Sequence, residues 1–389
     1  MKKSVYLLSG LAAFALLGGC GWFKGNSTKR ENIAQPKALV ELSPTLAVRE
    51  AWSRSIGKGA ARSGIRIAPA LHDGKLYTAG VDGEVSAIDA ASGKVIWNRD
   101  LKLKLAGGPG IGDGLLVVGG MDGDLLALDS ANGAERWRIR VAAEVVSAPA
   151  VERETVYVRT NDGRIHAFDA SNGKLRWVND RGTVPLLSLR GNASPRVAGD
   201  LVVNATDAGK VLAIRASDGA PAWEQAIVTA EGRTEVERLS DVDGDLKIDG
   251  DVVYAAAYHG QVVALSLASG RPLWNRTLSS YTNVDVSASQ VYAVDDQSQV
   301  WALDRTSGAS MWKQDALQHR WLSGPAVQGD YIVVGDVEGY VHWLAIADGK
   351  EAARERLSKH AIRATPVVLG DTVYVVDVNG ELAAYRAQL

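Results

Sequence analysis

The chain of 389 residues contains one cysteine, three phenylalanines, three methionines and almost no excess of either charge. A single cysteine forms no internal disulfide, no cysteine-based zinc site and no CxxC redox pair. With 43 basic against 45 acidic residues the formal charge is −2, which argues against a broad basic surface of the kind that holds nucleic acid. No apolar run reaches the roughly 20 residues that span a bilayer as a helix. The six histidines, His72, His166, His259, His319, His342 and His360, are scattered with no HxH or HExxH pairing, and there is no P-loop, GxSxG elbow or catalytic-type cysteine. Isolated histidines of this kind read as surface or satisfied core residues. No catalytic, cofactor-binding or metal-binding residue is assigned.

What is present begins at the amino terminus. Met1-Lys2-Lys3 is a cationic start, and Val5 to Leu17 is apolar, a length that suits the core of an export signal. It ends in Leu17-Gly18-Gly19-Cys20, which resembles the bacterial lipobox, so the one cysteine stands where a lipid would be attached. A plain signal followed by a free thiol is the alternative. One acyl chain holds a protein only marginally, and bacterial lipoproteins by resemblance carry three. Gly21 in place of Asp points by the same resemblance to the outer membrane. The expected organisation is a signal peptide over 1–19, a polar lipidated tether over 20–45 and a folded domain over 46–389.

That domain is a repeat. Asp82-Gly83-Glu84-Val85-Ser86-Ala87-Ile88-Asp89 returns as Asp122 to Asp129 and again as Asp162 to Asp169, each followed by a glycine (Gly93, Gly133, Gly173) and a tryptophan (Trp97, Trp137, Trp177), all with a period of 40. Later copies keep the 14-residue step from turn to tryptophan at Gly209 and Trp223, Gly260 and Trp274, and Ser298 and Trp312; Gly339 is followed at that step by Ala353. Short β-type runs separated by Asp-Gly, Ser-Gly and Asn-Gly turns are hairpins, and four strands per unit, as in Ile67 to Leu71 and the three runs after it, mark propeller blades. The last unit stops after its third strand, at Arg386 to Leu389, while Glu50-Ala51-Trp52 is a fourth strand with no unit before it. The fold class is therefore all-β: an eight-bladed β-propeller of four-stranded blades, closed by pairing the N-terminal strand with the C-terminal blade. Seven of the eleven tryptophans take the fourth-strand position, where packing between blades is their expected role.

The connections from one blade to the next emerge on the face of the Asp-Gly turns. The interval from the tryptophan to the following inner turn is 17 residues in the first two full units, then 23 after Trp177 and 28 after Trp223. Two insertions on adjacent blades should therefore project from one face, and loops on a rigid scaffold are where binding resides. The first carries Val184-Pro185-Leu186-Leu187-Ser188-Leu189-Arg190-Gly191-Asn192, apolar anchors beside an arginine that suit an interface hot spot; the second runs from Thr234 to Asp245. Two arrangements fit these residues: the leucines and Arg190 meet a partner, or they fold back and Arg190 braces the loops against Asp241 or Asp243. Asp241, Asp243 and Asp245 occupy positions 1, 3 and 5 of an EF-hand loop, but Leu246 and Val252 stand where the glycine and the final glutamate are needed.

The unit resembles the pyrroloquinoline-quinone-type propeller repeat, D-G-x-L-x-A-L-D…G…W, from Trp52 to Arg386. Dehydrogenases of that type combine a vicinal cysteine pair with a calcium-bound cofactor in their best-known members. One cysteine removes the first, and no evident ligand set supplies the second; a periplasmic quinone-dependent dehydrogenase is the alternative reading. A closer resemblance covers lipobox, tether and propeller together: the BamB lipoproteins of the outer-membrane β-barrel assembly machine, matched at Leu187-Ser188-Leu189-Arg190-Gly191 and from Glu235 to Asp243. The resemblance implies a scaffold that is no enzyme and holds no cofactor, anchored through Cys20 at the periplasmic face of the outer membrane. It further implies that Leu187, Leu189, Arg190, Asp241 and Asp243 bind the POTRA region of BamA, that other Bam subunits are reached indirectly, and that unfolded outer-membrane protein precursors meet its sheet edges.

Overall fold

The computed structural model describes residues 34–60, 65–180, 193–228 and 242–389. Among them, every regular element is a β-strand, and the strands form eight antiparallel sheets of four. Seven blades are continuous in sequence: blade 1 over 70–100, blade 2 over 105–140, blade 3 over 150–179, blade 4 over 196–226, blade 5 over 247–277, blade 6 over 285–314 and blade 7 over 326–356. Blade 8 takes its first three strands from Val367–Leu369, Thr372–Val376 and Glu381–Ala387, and its fourth from Val48–Ser55. Pairing of Val48 with Ala387 through Ser55 with Glu381 closes the ring between the first strand and the last, as the sequence bookkeeping anticipates.

Hydrophobic periodicity fixes the layers. In blade 2 the two middle strands, Leu115–Gly120 and Asp124–Asp129, are buried on both faces, whereas in the outer strand Glu135–Arg140 only Trp137 is buried. Strands of the first kind are sandwiched between neighbouring blades; the outer strand is a solvent-facing edge studded with charge. The core is accordingly divided into eight apolar clusters, each shared by two adjacent blades. The innermost strands are shorter than the sequence suggests: blade 1 begins at Ala70, not Ile67. Pro69 precedes it, and Pro149, Pro195, Pro325 and Pro366 precede the inner strands of four other blades. Proline has no N–H for the ladder, so pairing starts after it.

The tryptophans explain how blades are joined. Trp97 faces Ala87 across the third and fourth strands of blade 1, and a one-residue bulge at Ile96 re-aims the outer strand beside it. The indole N–H then donates to Ser130 O of blade 2 at 2.9 Å, and the ring lies under Gly133, whose φ is +71°; a Cβ there would stand 2.7 Å from the indole. The same indole-to-carbonyl bond, at 2.7–3.1 Å, is made by Trp52, Trp137, Trp177, Trp223, Trp274 and Trp312. Each tryptophan is therefore shaped to the third turn of the following blade.

Ala353 now has a physical reason. Blade 8 is closed by the chain's first strand and has no turn between its third and fourth strands, so there is nothing for a blade 7 indole to dock on. The bulky partner has moved across the pair instead: Trp343 of the third strand faces Ala353, is fully buried, donates to Gln328 Oε1 at 2.9 Å and meets Tyr385 of blade 8 edge-on at 5.9 Å.

Candidate partner-binding face and its axial cavity

The two insertions depart between Leu175–Asn179 and Arg196–Ala198, and between Pro221–Ala226 and Lys247–Asp249. Both are connections from the outer strand of one blade to the inner strand of the next, on the face expected. Cys20, Leu187, Leu189, Arg190 and Asp241 lie outside the described residues. What the structure gives is the base from which each insertion rises.

The base of the second is pinned by alternation. Val242 and Leu246 point into the cluster between blades 4 and 5, which sends Asp243 and Asp245 toward the axis, where both line an axial cavity of about 820 Å³. Between them Gly244 passes so close to Thr282 and Asn283 that a Cβ would sit 2.3–2.4 Å from their backbone. Asp243 is buried, and its Oδ2 lies 3.3 Å from Arg66 Nη2. Arg66 comes from the stretch before blade 1; it also donates to Tyr281 O at 2.8 Å and places its guanidinium 5.5 Å from the centre of the Tyr281 ring. Burial pushes the Tyr281 hydroxyl above its ordinary value, partly offset by the charge of Arg66. Tyr258 stands 6.5 Å from Tyr281 and stacks on His259 at 4.0 Å.

Asp245 joins the two insertions. Its Oδ1 accepts from Ser194 N at 2.6 Å and its Oδ2 from Arg196 Nη2 at 2.6 Å, and Ser194 and Arg196 stand where the first insertion returns to blade 4. On the next blade Lys247 Nζ is 2.7 Å from Asp285 Oδ1, and Asp285 Oδ2 accepts from Val327 N at 2.8 Å. The cavity rim is thus a chain of opposite charges that ties blade to blade. The carboxylates of Asp243 and Asp245 are engaged by arginines, and among the described residues no group of three or more His, Cys, Asp and Glu is arranged to hold a metal ion.

The residues brought together are therefore Asp243, the one described member of the expected set, with Arg66, Tyr281, Asp245 and Arg196. Sequence reading assigns no role to these four. Asp245 carries a signal, since two aspartates flank a glycine that must pass backbone closely; Arg66 carries none, because its partner lies on the far side of four blades of chain.

Comparison with known proteins then decides the family. The model described as outer membrane protein assembly factor BamB matches residues 49–102, 81–314 and 308–388. The chain belongs to the BamB family. It is 42% identical to the outer membrane protein assembly factor BamB of Xanthomonas campestris pv. campestris, over 99% of both chains. Its fold matches the crystal structure of BamB from Moraxella catarrhalis with a TM-score of 0.80 at 27% identity, over 87% of this chain and all of that one. The quinohemoprotein alcohol dehydrogenase of Comamonas testosteroni, at 15% identity and a TM-score of 0.68 over 87% of this chain and 76% of that one, shares the propeller fold alone.

Proposed function

We propose that this BamB-family chain acts in outer-membrane protein assembly as a non-enzymatic scaffold lipoprotein, anchored by acyl chains on Cys20 and binding the POTRA region of BamA through its two inserted loops. One observation supports the reading: Asp245, at the described end of the second insertion, accepts from Ser194 N and Arg196 Nη2 at the described end of the first, so the two insertions return to the propeller at bonded neighbouring points. In this reading Leu187, Leu189 and Arg190 supply the anchors at the interface. Asp243, held by Arg66, fixes the described end of the second insertion. The organisation follows as a signal over 1–19, a tether over 20–45 and a propeller over 46–389, lying at the periplasmic face of the outer membrane.

Binding of BamA by Arg190→Ala and Leu187→Ala variants tests the interface. Truncation of a central anchor costs about 2 kcal/mol, or about 30-fold in affinity. Folded variants that retain BamA as well as the parent would remove these residues from the interface. Cys20→Ser should move the protein into the soluble periplasm in cells lacking BamA; retention in the membrane fraction would remove the lipid anchor.

A further inference from the structure

Blade 7 contains a chain of ionic side chains that the propeller fold does not require. Arg320, in the connection leading into the blade, is buried; its Nε donates to Asp336 Oδ2 at 2.7 Å and its Nη2 to Glu338. His342 is fully buried between two carboxylates, with Nε2 3.0 Å from Asp336 Oδ2 and Nδ1 2.6 Å from Glu351 Oε1. Glu351 in turn accepts from Arg354 Nε at 2.9 Å. The imidazole thus bridges the two carboxylates, and acidic side chains alternate with basic ones from Glu338 to Arg354. Positions equivalent to His342 hold Ser86, Leu126, Leu212 and Val263 in blades 1, 2, 4 and 5. Desolvating this many charges is costly, and those four blades stand without it.

Two arginines of the chain reach the same segment. Arg320 Nη1 donates to Lys37 O at 2.9 Å, and Arg354 Nη1 donates to Val40 O at 3.2 Å. Between these carbonyls, Leu39 packs on the apolar cluster that contains Leu317 and Leu322. Lys37 N donates to Gln318 O at 3.0 Å, and its Nζ to Asp315 O at 3.1 Å. Farther on, Thr45 N and Leu46 N both donate to Ala352 O, at 2.9 and 3.2 Å, beside the small Ala353.

We infer that the Glu338–Arg320–Asp336–His342–Glu351–Arg354 chain is a latch that fastens residues 37–40 to blade 7, so that the tether leaves the propeller at blade 7 and not at the start of its first strand. The latch itself rests on these contacts; only its meaning for membrane attachment rests on the proposed acylation of Cys20.

Cleavage after Lys37 by a lysine-specific protease reads the latch, because the peptide must leave its partners to enter a protease cleft. The full chain is used in detergent, with products identified by mass. The parent should be cut slowly at Lys37. Leu39→Asp, which alters no residue of blade 7, and Arg354→Gln should each be cut there at least about 10-fold faster, with the propeller fragment intact. Equal cleavage of parent and Leu39→Asp would overturn the latch even if Arg354→Gln failed to fold. The mass of the N-terminal fragment reports acylation separately, so loss of the lipid reading leaves this result standing.

Discussion

At the junction of blades 1 and 2, Trp97 lies under Gly133 and donates to Ser130 O; at the junction of blades 7 and 8 the corresponding position is Ala353, and Trp343 reaches Tyr385 from the neighbouring strand. Each junction buries an indole, by a different route. The first depends on a turn in the next blade, and the second faces a blade whose turn is replaced by the two ends of the folded domain. A repeated residue in this ring is therefore fitted to its neighbour's shape, and it disappears where that shape does. Blade 7 also bears the buried ionic chain, whose arginines donate to Lys37 O and Val40 O.

Breaking that chain should have the largest effect. Asp336→Ala leaves Arg320 and His342 buried without their shared carboxylate, a loss of about 3–5 kcal/mol, measured as a lower denaturation midpoint in urea. Exchanging the two junctions comes next. Trp97→Ala should cost about 3–5 kcal/mol, whereas Ala353→Trp, which installs the residue used at seven other junctions, should cost about 1–3 kcal/mol by overpacking; a stabilised Ala353→Trp would undo the argument from the missing turn. Glycine separates backbone from packing on a smaller scale. Gly133→Ala meets both positive φ and the indole at 2.7 Å and should cost about 2–4 kcal/mol. Gly74, with φ +69° and nothing within 4 Å of its Cβ direction, should cost only about 1 kcal/mol on the same change.

The mildest test is titration. Burial opposes the charge of Asp336 and Glu351, but the hydrogen bond and charge of His342, helped by Arg320 and Arg354, outweigh it and hold both carboxyls below their ordinary values. Groups lowered on folding stabilise the fold fully above their unfolded values, about 4, and lose that contribution as pH falls through the lowered ones. Stability should thus be flat in this respect above about pH 5 and decline below pH 4. In Asp336→Ala the decline should be shallower.

Turn chemistry and the 40-residue period made the blades, their count and the closing strand legible, because each signal is local and repeats. Side-chain identity at the fourth strand also made the exception at Ala353 visible, though not its cause, which lies in the next blade. The site was less legible. Two loop lengths located its face, but the bond from Arg66 to Asp243 spans the axis, and Asp245 meets Ser194 and Arg196 from a different blade. Periodicity says which way a residue faces and nothing about which distant residue it meets. His342 illustrates the same limit: its solitary place in the sequence fits a satisfied core residue, and the carboxylates that satisfy it lie six residues before it and nine after.

The pairing of Val48–Ser55 with Glu381–Ala387 also makes the ring sensitive to length. Synthesis delivers the first of these strands before the seven continuous blades and its partner after them, so Val48–Ser55 waits as an open edge while those blades are made. A chain that stops anywhere short of Glu381 keeps that edge, and open edges are what aggregation and proteolysis act on. Pairing with Glu381–Ala387 thus certifies the ring, distinguishing a closed propeller from an open one without any outside inspector.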